Sequence, residues 1–115
     1  MAIDETCIFC KLAHHEIPTQ VVYEDDSVFA FEDAEPQAPV HVLVVPKDHY
    51  QDASDDVPDE LMAKLMKAAN KVAQIKGVDK SGYRILTNKG SDAGQTVFHL
   101  HIHVLGGTES KSRLF

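Results

Sequence analysis

Basic residues are scarce in this chain: eleven lysines and arginines stand against eighteen aspartates and glutamates in 115 residues, a formal charge of −7. So little positive surface cannot displace counterions from a polyanion, which argues against a nucleic-acid partner. A mononucleotide is a milder case, because backbone N–H groups and histidines can hold a single phosphate locally. Long apolar runs are also missing; no stretch approaches the roughly 20 residues of a membrane span. Met1-Ala2-Ile3-Asp4-Glu5 has neither the basic nor the apolar part of a secretion signal. Together these absences predict a cytoplasmic chain with no membrane partner. Cysteine is limited to Cys7 and Cys10. In a reducing compartment their C-x-x-C spacing favours a metal clip or a redox pair over a structural disulfide. The thioredoxin-like βαβ context of a redox pair is absent, so half a zinc site is the better reading, and it needs two further ligands.

The length fits one domain, 1–115, and 43% hydrophobic residues suffice for a modest core. Ile8 to Ala13 reads as a brief helix ended before Pro18. Val21 to Glu24 and Ser27 to Phe31 flank the acidic turn Asp25-Asp26 as a β-hairpin. After the two-proline loop Glu35 to Pro39, the run His41 to Pro46 is apolar enough for a strand buried on both faces. Pro58 opens the one long helix, whose Leu61, Leu65, Ala68, Ala69, Val72 and Ile75 form a core-facing stripe ending at Gly77. Tyr83 to Thr87 is the next strand, and Asn88 to Gln95 is a glycine-containing loop. The class expected is α+β, a meander with one long and one short helix against a mainly antiparallel sheet of about five strands.

The last strand carries the chemistry. His99-Leu100-His101-Ile102-His103-Val104-Leu105 alternates imidazole with apolar residues, so a strand from His99 onward would put three histidines on one face. Neutral imidazoles can ligate a metal, move protons or attack an electrophile, and the surroundings decide which. One catalytic metal held by all three is disfavoured, since neighbours spaced by roughly 6.6 Å cannot converge on bonds of about 2 Å without a bend.

That heptapeptide resembles the signature of the histidine triad (HIT) family, Hint branch. Cys7-Ile8-Phe9-Cys10-Lys11, Ala30-Phe31-Glu32-Asp33, Pro36 to His41, Val45-Pro46-Lys47-Asp48-His49 and Gly94-Gln95-Thr96-Val97-Phe98 resemble family segments in family order. The resemblance implies a HIT-like fold and a nucleotide-binding hydrolase that cleaves purine nucleoside 5'-phosphoramidates, releasing AMP or GMP. His101 would attack the α-phosphorus to give a nucleotidyl-histidine, with His103 and His41 polarising phosphate oxygens or passing a proton. Asn88, Gly94, Gln95, Thr96 and Val97 resemble the family's phosphate cradle, Asp33 its ribose-binding carboxylate, and Ile8, Phe9, Leu12 and Phe31 its purine pocket. Without the resemblance, Asp33 reads as a solvated strand-end acid, the apolar four as core, and His41 as a hydrogen-bonded strand end.

The resemblance also implies that Cys7, Cys10, His49 and His99 bind a structural zinc ion, as in a C-x-x-C variant, which would take His99 away from acid–base work. His14 and His15 are read as solvated surface residues. A homodimer is implied, as is some doubt about leaving-group selectivity: Thr96 stands where many relatives have serine, and the ending Arg113-Leu114-Phe115 lacks the tryptophan-bearing tail of some. The alternatives are a dinucleoside polyphosphate hydrolase or nucleotidyl transferase of a sister branch and, in another class, a nucleotide-binding or protein-interaction module with incidental hydrolysis.

Overall fold

Residues 4–108 are described, in a computed structural model; the ending at Arg113-Leu114-Phe115 lies outside them. Alternation along the strands sorts the core into two layers. Val28 and Ala30 of β2 (Val28–Glu32), Val42 and Val44 of β3 (Val40–Pro46), and Ile102 and Val104 of β5 (Ile102–Gly106) face one side. There they meet Leu61, Leu65, Ala68, Ala69, Val72 and Ala73 of the long helix α2 (Asp59–Ile75). The odd-numbered Phe29, Phe31, Leu43 and Val45 face the other side and pack on Phe9, Leu12 and Ala13 of the short helix α1 (Ile8–Ala13). Apolar burial on both faces explains why β3 is an uninterrupted hydrophobic run.

The sheet is antiparallel throughout, in the order β1-β2-β3-β5-β4, where β1 is Val21–Glu24 and β4 is Tyr83–Leu86. This corrects the expected meander. The chain crosses over through α2, lays β4 at the edge, and returns β5 between β4 and β3. The histidine-bearing segment is thereby central, paired on both sides, with Leu43 and Leu86 flanking His103. Asp59 and Glu60 place negative charge in the first turn of α2. Its end is closed by Gly77 at φ +75, with the Val78 N–H bonded to the Ala73 carbonyl at 3.0 Å. No helix among the described residues is long and apolar enough to cross a membrane.

A second correction concerns the histidines. β5 begins at Ile102, so His99, Leu100 and His101 lie outside the ladder. They are held by other means. The Leu100 N–H donates to the Tyr50 carbonyl at 2.6 Å, the Leu100 side chain is buried, and the Thr87 hydroxyl donates to the His101 carbonyl at 2.7 Å.

Candidate active site

Ending the ladder at Ile102 leaves the His99 carbonyl without a strand partner, and the His101 ring takes it: Nδ1 lies 2.7 Å from that oxygen. A carbonyl can only accept, so Nδ1 carries the proton and Nε2 keeps a free lone pair. His99 follows the same logic in mirror image. Its Nε2 donates to the Pro46 carbonyl at 2.9 Å, leaving Nδ1 as the lone-pair nitrogen. At His41, the Gln37 N–H donates to Nδ1 at 3.0 Å, so its proton is on Nε2. That Nε2 sits 2.9 Å from His103 Nδ1 and 3.3 Å from Asp33 Oδ2. His103 therefore accepts at Nδ1 and keeps its N–H at Nε2. His101, just before β5, thus offers a lone pair at Nε2 where His103, within it, offers a donor, their ring centroids 5.0 Å apart.

Burial keeps these rings neutral. It pushes His103 down to about 4, with the nearby His101 and His41 adding to the effect. His101 and His41 are also lowered, mainly by burial, and Asp33 partly offsets this in both. A neutral His101 keeps its lone pair at pH 7, as a nucleophile requires.

Both histidines line a cleft of about 820 Å³. Its walls include Ile8, Phe9, Leu12, Phe31, Asp33, His41, Asn88, Gly94, Thr96 and Val97, so nearly all the residues expected from the sequence share one cavity. Phe9 stands edge-on to His101 at 5.1 Å and to Phe31 at 5.4 Å. Asn88 braces its loop by donating to the Ala93 carbonyl at 2.8 Å. Gln95 departs from the expected cradle. It is buried outside the cleft wall, its side-chain amide donating to the Gln51 carbonyl at 2.8 Å and the Val97 carbonyl at 3.2 Å and accepting from the Gly90 N–H at 2.8 Å, while its own backbone N–H bonds to the Gly90 carbonyl. Gln95 therefore shapes the loop and has no amide proton left for an anion. His14 departs from the solvated reading by donating to the Lys47 carbonyl at 2.8 Å, whereas His15 is exposed as expected and pairs with Glu24 at 2.7 Å on the surface. Sequence reasoning missed Gln37, Pro46 and Thr87. Two act through backbone groups and the third through a lone hydroxyl, which leave no side-chain pattern to read.

Among the described residues, two groups of side chains have metal-like composition. In the first, Cys7 Sγ lies 3.3 Å and Cys10 Sγ 3.4 Å from His99 Nδ1; His49 Nδ1 lies 3.3 Å from Cys10 Sγ and 3.2 Å from His99 Nδ1. Tetrahedral zinc, with bonds of roughly 2.0–2.3 Å, sets ligand atoms roughly 3.3–3.8 Å apart. The fit is close, and the Pro46 carbonyl turns the lone pair of His99 inward. Burial raises the Cys10 thiol to about 11, a penalty that a bound cation would remove. The second group, Asp33, His41 and His103, fails on proton placement. The Gln37 N–H occupies His41 Nδ1, so Nε2 carries a hydrogen where a metal would need a lone pair. It is a hydrogen-bond chain rather than a coordination set.

Comparison with known proteins agrees with the fold. The sequence model of the HIT domain matches residues 14–110. Protein HitA of Neisseria gonorrhoeae is 42% identical over 104 residues, covering 89% of this chain and 96% of that protein. Among solved structures, a HIT family hydrolase from Clostridium thermocellum superposes with a TM-score of 0.91 at 43% identity, covering 97% of this chain and 99% of that one. A histidine triad nucleotide-binding protein from Candida albicans gives a TM-score of 0.80 at 33% identity, covering 85% and 72%.

Proposed function

The chain belongs to the HIT-domain family, and from that premise we propose that it is a nucleotide phosphoramidase of the Hint type, releasing AMP or GMP from an amine through a nucleotidyl-histidine. The observation that carries this reading is the pairing of a free lone pair on His101 with a donor on His103 in one cleft. Asp33 receives the ribose hydroxyls, and Ile8, Phe9, Leu12 and Phe31 enclose the purine. His101 Nε2 attacks the α-phosphorus and the P–N bond breaks. His103 Nε2–H donates to a non-bridging oxygen as charge builds there. The departing amine takes one proton from solvent water, and the water that cleaves the phosphorus–Nε2 bond in the second half-reaction releases one back to solvent. Throughout, His101 Nδ1–H stays on the His99 carbonyl, which steadies the positive charge gained by the ring.

Among the described residues no lysine or arginine lines the cleft, whereas Glu32, Asp33 and Glu35 do. A dinucleoside polyphosphate would bring several negative charges to a site without a cation, so the singly charged phosphoramidate is favoured over the sister-branch substrates. Cys7, Cys10, His49 and His99 would hold zinc, which when bound cross-links α1 to the segment before β5. A homodimer also belongs to this reading: β4 is an edge strand and Met66 of α2 is exposed, and sedimentation at micromolar concentration tests it.

Intact-mass analysis during turnover of adenosine 5'-phosphoramidate tests the mechanism. The wild type should carry AMP, and His101→Ala should carry none. Sustained turnover by His101→Ala refutes the nucleotidyl-histidine. Tight AMP binding without turnover by the wild type favours the binding-module reading instead.

A further inference from the structure

We infer that the Cys7, Cys10, His49 and His99 clip is coupled to the nucleotide cleft through His99, so that metal occupancy and nucleotide binding strengthen each other. The inference rests on the metal and nucleotide readings just given and adds a link between them. His99 belongs to both sites: its ring nitrogen Nδ1 is in the clip, and its carbonyl holds the proton of the nucleophile. Because His99 lies outside the β-ladder, strand pairing does not fix that carbonyl. Its position follows from the ring, held by Pro46 on one side and the clip on the other, and from the neighbouring Leu100.

A second connection runs through α1. The helix has six residues, too few for stability in isolation. Cys7 is its N-cap, with Sγ accepting the Cys10 N–H at 3.4 Å, so the clip secures its first turn. From that turn Phe9 reaches His101, His99 and Phe31, at ring-centroid distances of 5.1, 6.1 and 5.4 Å. Ile8, Phe9 and Leu12 form one wall of the cleft. An open clip thus loosens the apolar wall and the acceptor of the nucleophile together. Linkage requires the converse: a nucleotide that orders these groups must tighten the metal by the same factor.

Cobalt(II) loaded into the full-length protein is the probe, since its thiolate and ligand-field bands report the geometry of the clip. Titration with AMP should shift those bands, half-saturating where calorimetry places AMP binding. Chelator competition should show cobalt held about fivefold or more tighter with AMP present. In His101→Ala, where the carbonyl loses its partner, the shift should shrink. Bands and chelator competition that stay unmoved while AMP binds overturn the coupling, and an undiminished shift in His101→Ala overturns the route through the carbonyl. Absence of a cobalt–thiolate band overturns the clip itself, yet a His101 adduct in the same preparation leaves the catalytic reading standing. Failure of the cobalt-loaded protein to bind AMP overturns both.

Discussion

Replacing Asp33 with asparagine separates ribose recognition from the chemistry at phosphorus. Asp33 Oδ1 accepts the Glu35 N–H at 2.8 Å, and Oδ2 lies 3.3 Å from His41 Nε2. Asparagine keeps the first contact and the shape of the side chain. It removes the charge and sets an N–H against the N–H of His41. A hydrogen bond to a charged group contributes about 1.5–3 kcal/mol, and each 1.4 kcal/mol is a factor of about ten, so the loss of one such bond to ribose should lower kcat/KM about 10- to 100-fold. Most of this should appear in KM, because the ribose is held alike in ground and transition states. The assay compares adenosine 5'-phosphoramidate with its 2'-deoxy analogue on both proteins. The wild type should prefer the ribonucleotide by about the same 10- to 100-fold, and Asp33→Asn should be nearly indifferent. A variant that discriminates as strongly as the wild type would refute the assignment of Asp33 to the ribose.

Acid should destabilise the fold through His99 and His103, both pushed down to about 4 by burial, and the share of His103 can be isolated. Its folded-state value of about 4 lies below the ordinary 6.5, so its contribution is complete above pH 6.5 and is lost as the pH falls toward 4. At about 1.36 kcal/mol per pH unit the loss is up to about 3 kcal/mol; urea unfolding of wild type and His103→Gln at pH 7 and 4.5 measures it, and parallel losses in both would contradict this origin. Gly106→Ala puts a Cβ 3.1 Å from Val78 side-chain atoms in the fully packed layer under α2, which should cost about 1–3 kcal/mol in chemical denaturation; Val78→Ala in the same chain should recover part of it. Leu65→Ala, at a fully buried position of α2, should cost about 2–5 kcal/mol without changing KM, and a KM change would show that α2 communicates with the cleft.

Much of the fold was legible because its determinants are local. The stripe from Leu61 to Ile75 and the apolar run of β3 carry their periods in the sequence, and both elements lie where those periods put them, except that Ile75, in the last turn of α2, is half exposed and outside the core. The expected strand failed at His99 and His101 because alternation also describes a segment that no neighbour pairs with. Only the register of β3 and β4, which stops at Ile102 and His103, reveals the end of the ladder. Gln95 failed for a related reason: its amide is used by Gly90 and Gln51, and a residue type does not name its partners.

By itself the sequence determined the α+β class, the two-sided burial of β3, the net negative charge and the inventory of histidines and cysteines. These depend on composition and on spacing along the chain. Tertiary structure decided the strand order, which residues share the cleft, and which nitrogen of each imidazole holds the proton. That last choice leaves the lone pair of His101 on Nε2, the N–H of His103 on Nε2, and the lone pair of His99 on Nδ1, facing Cys7, Cys10 and His49. It depends on the Gln37 amide and on the carbonyls of Pro46 and His99 itself, backbone groups that every sequence contains and only a folded chain aims.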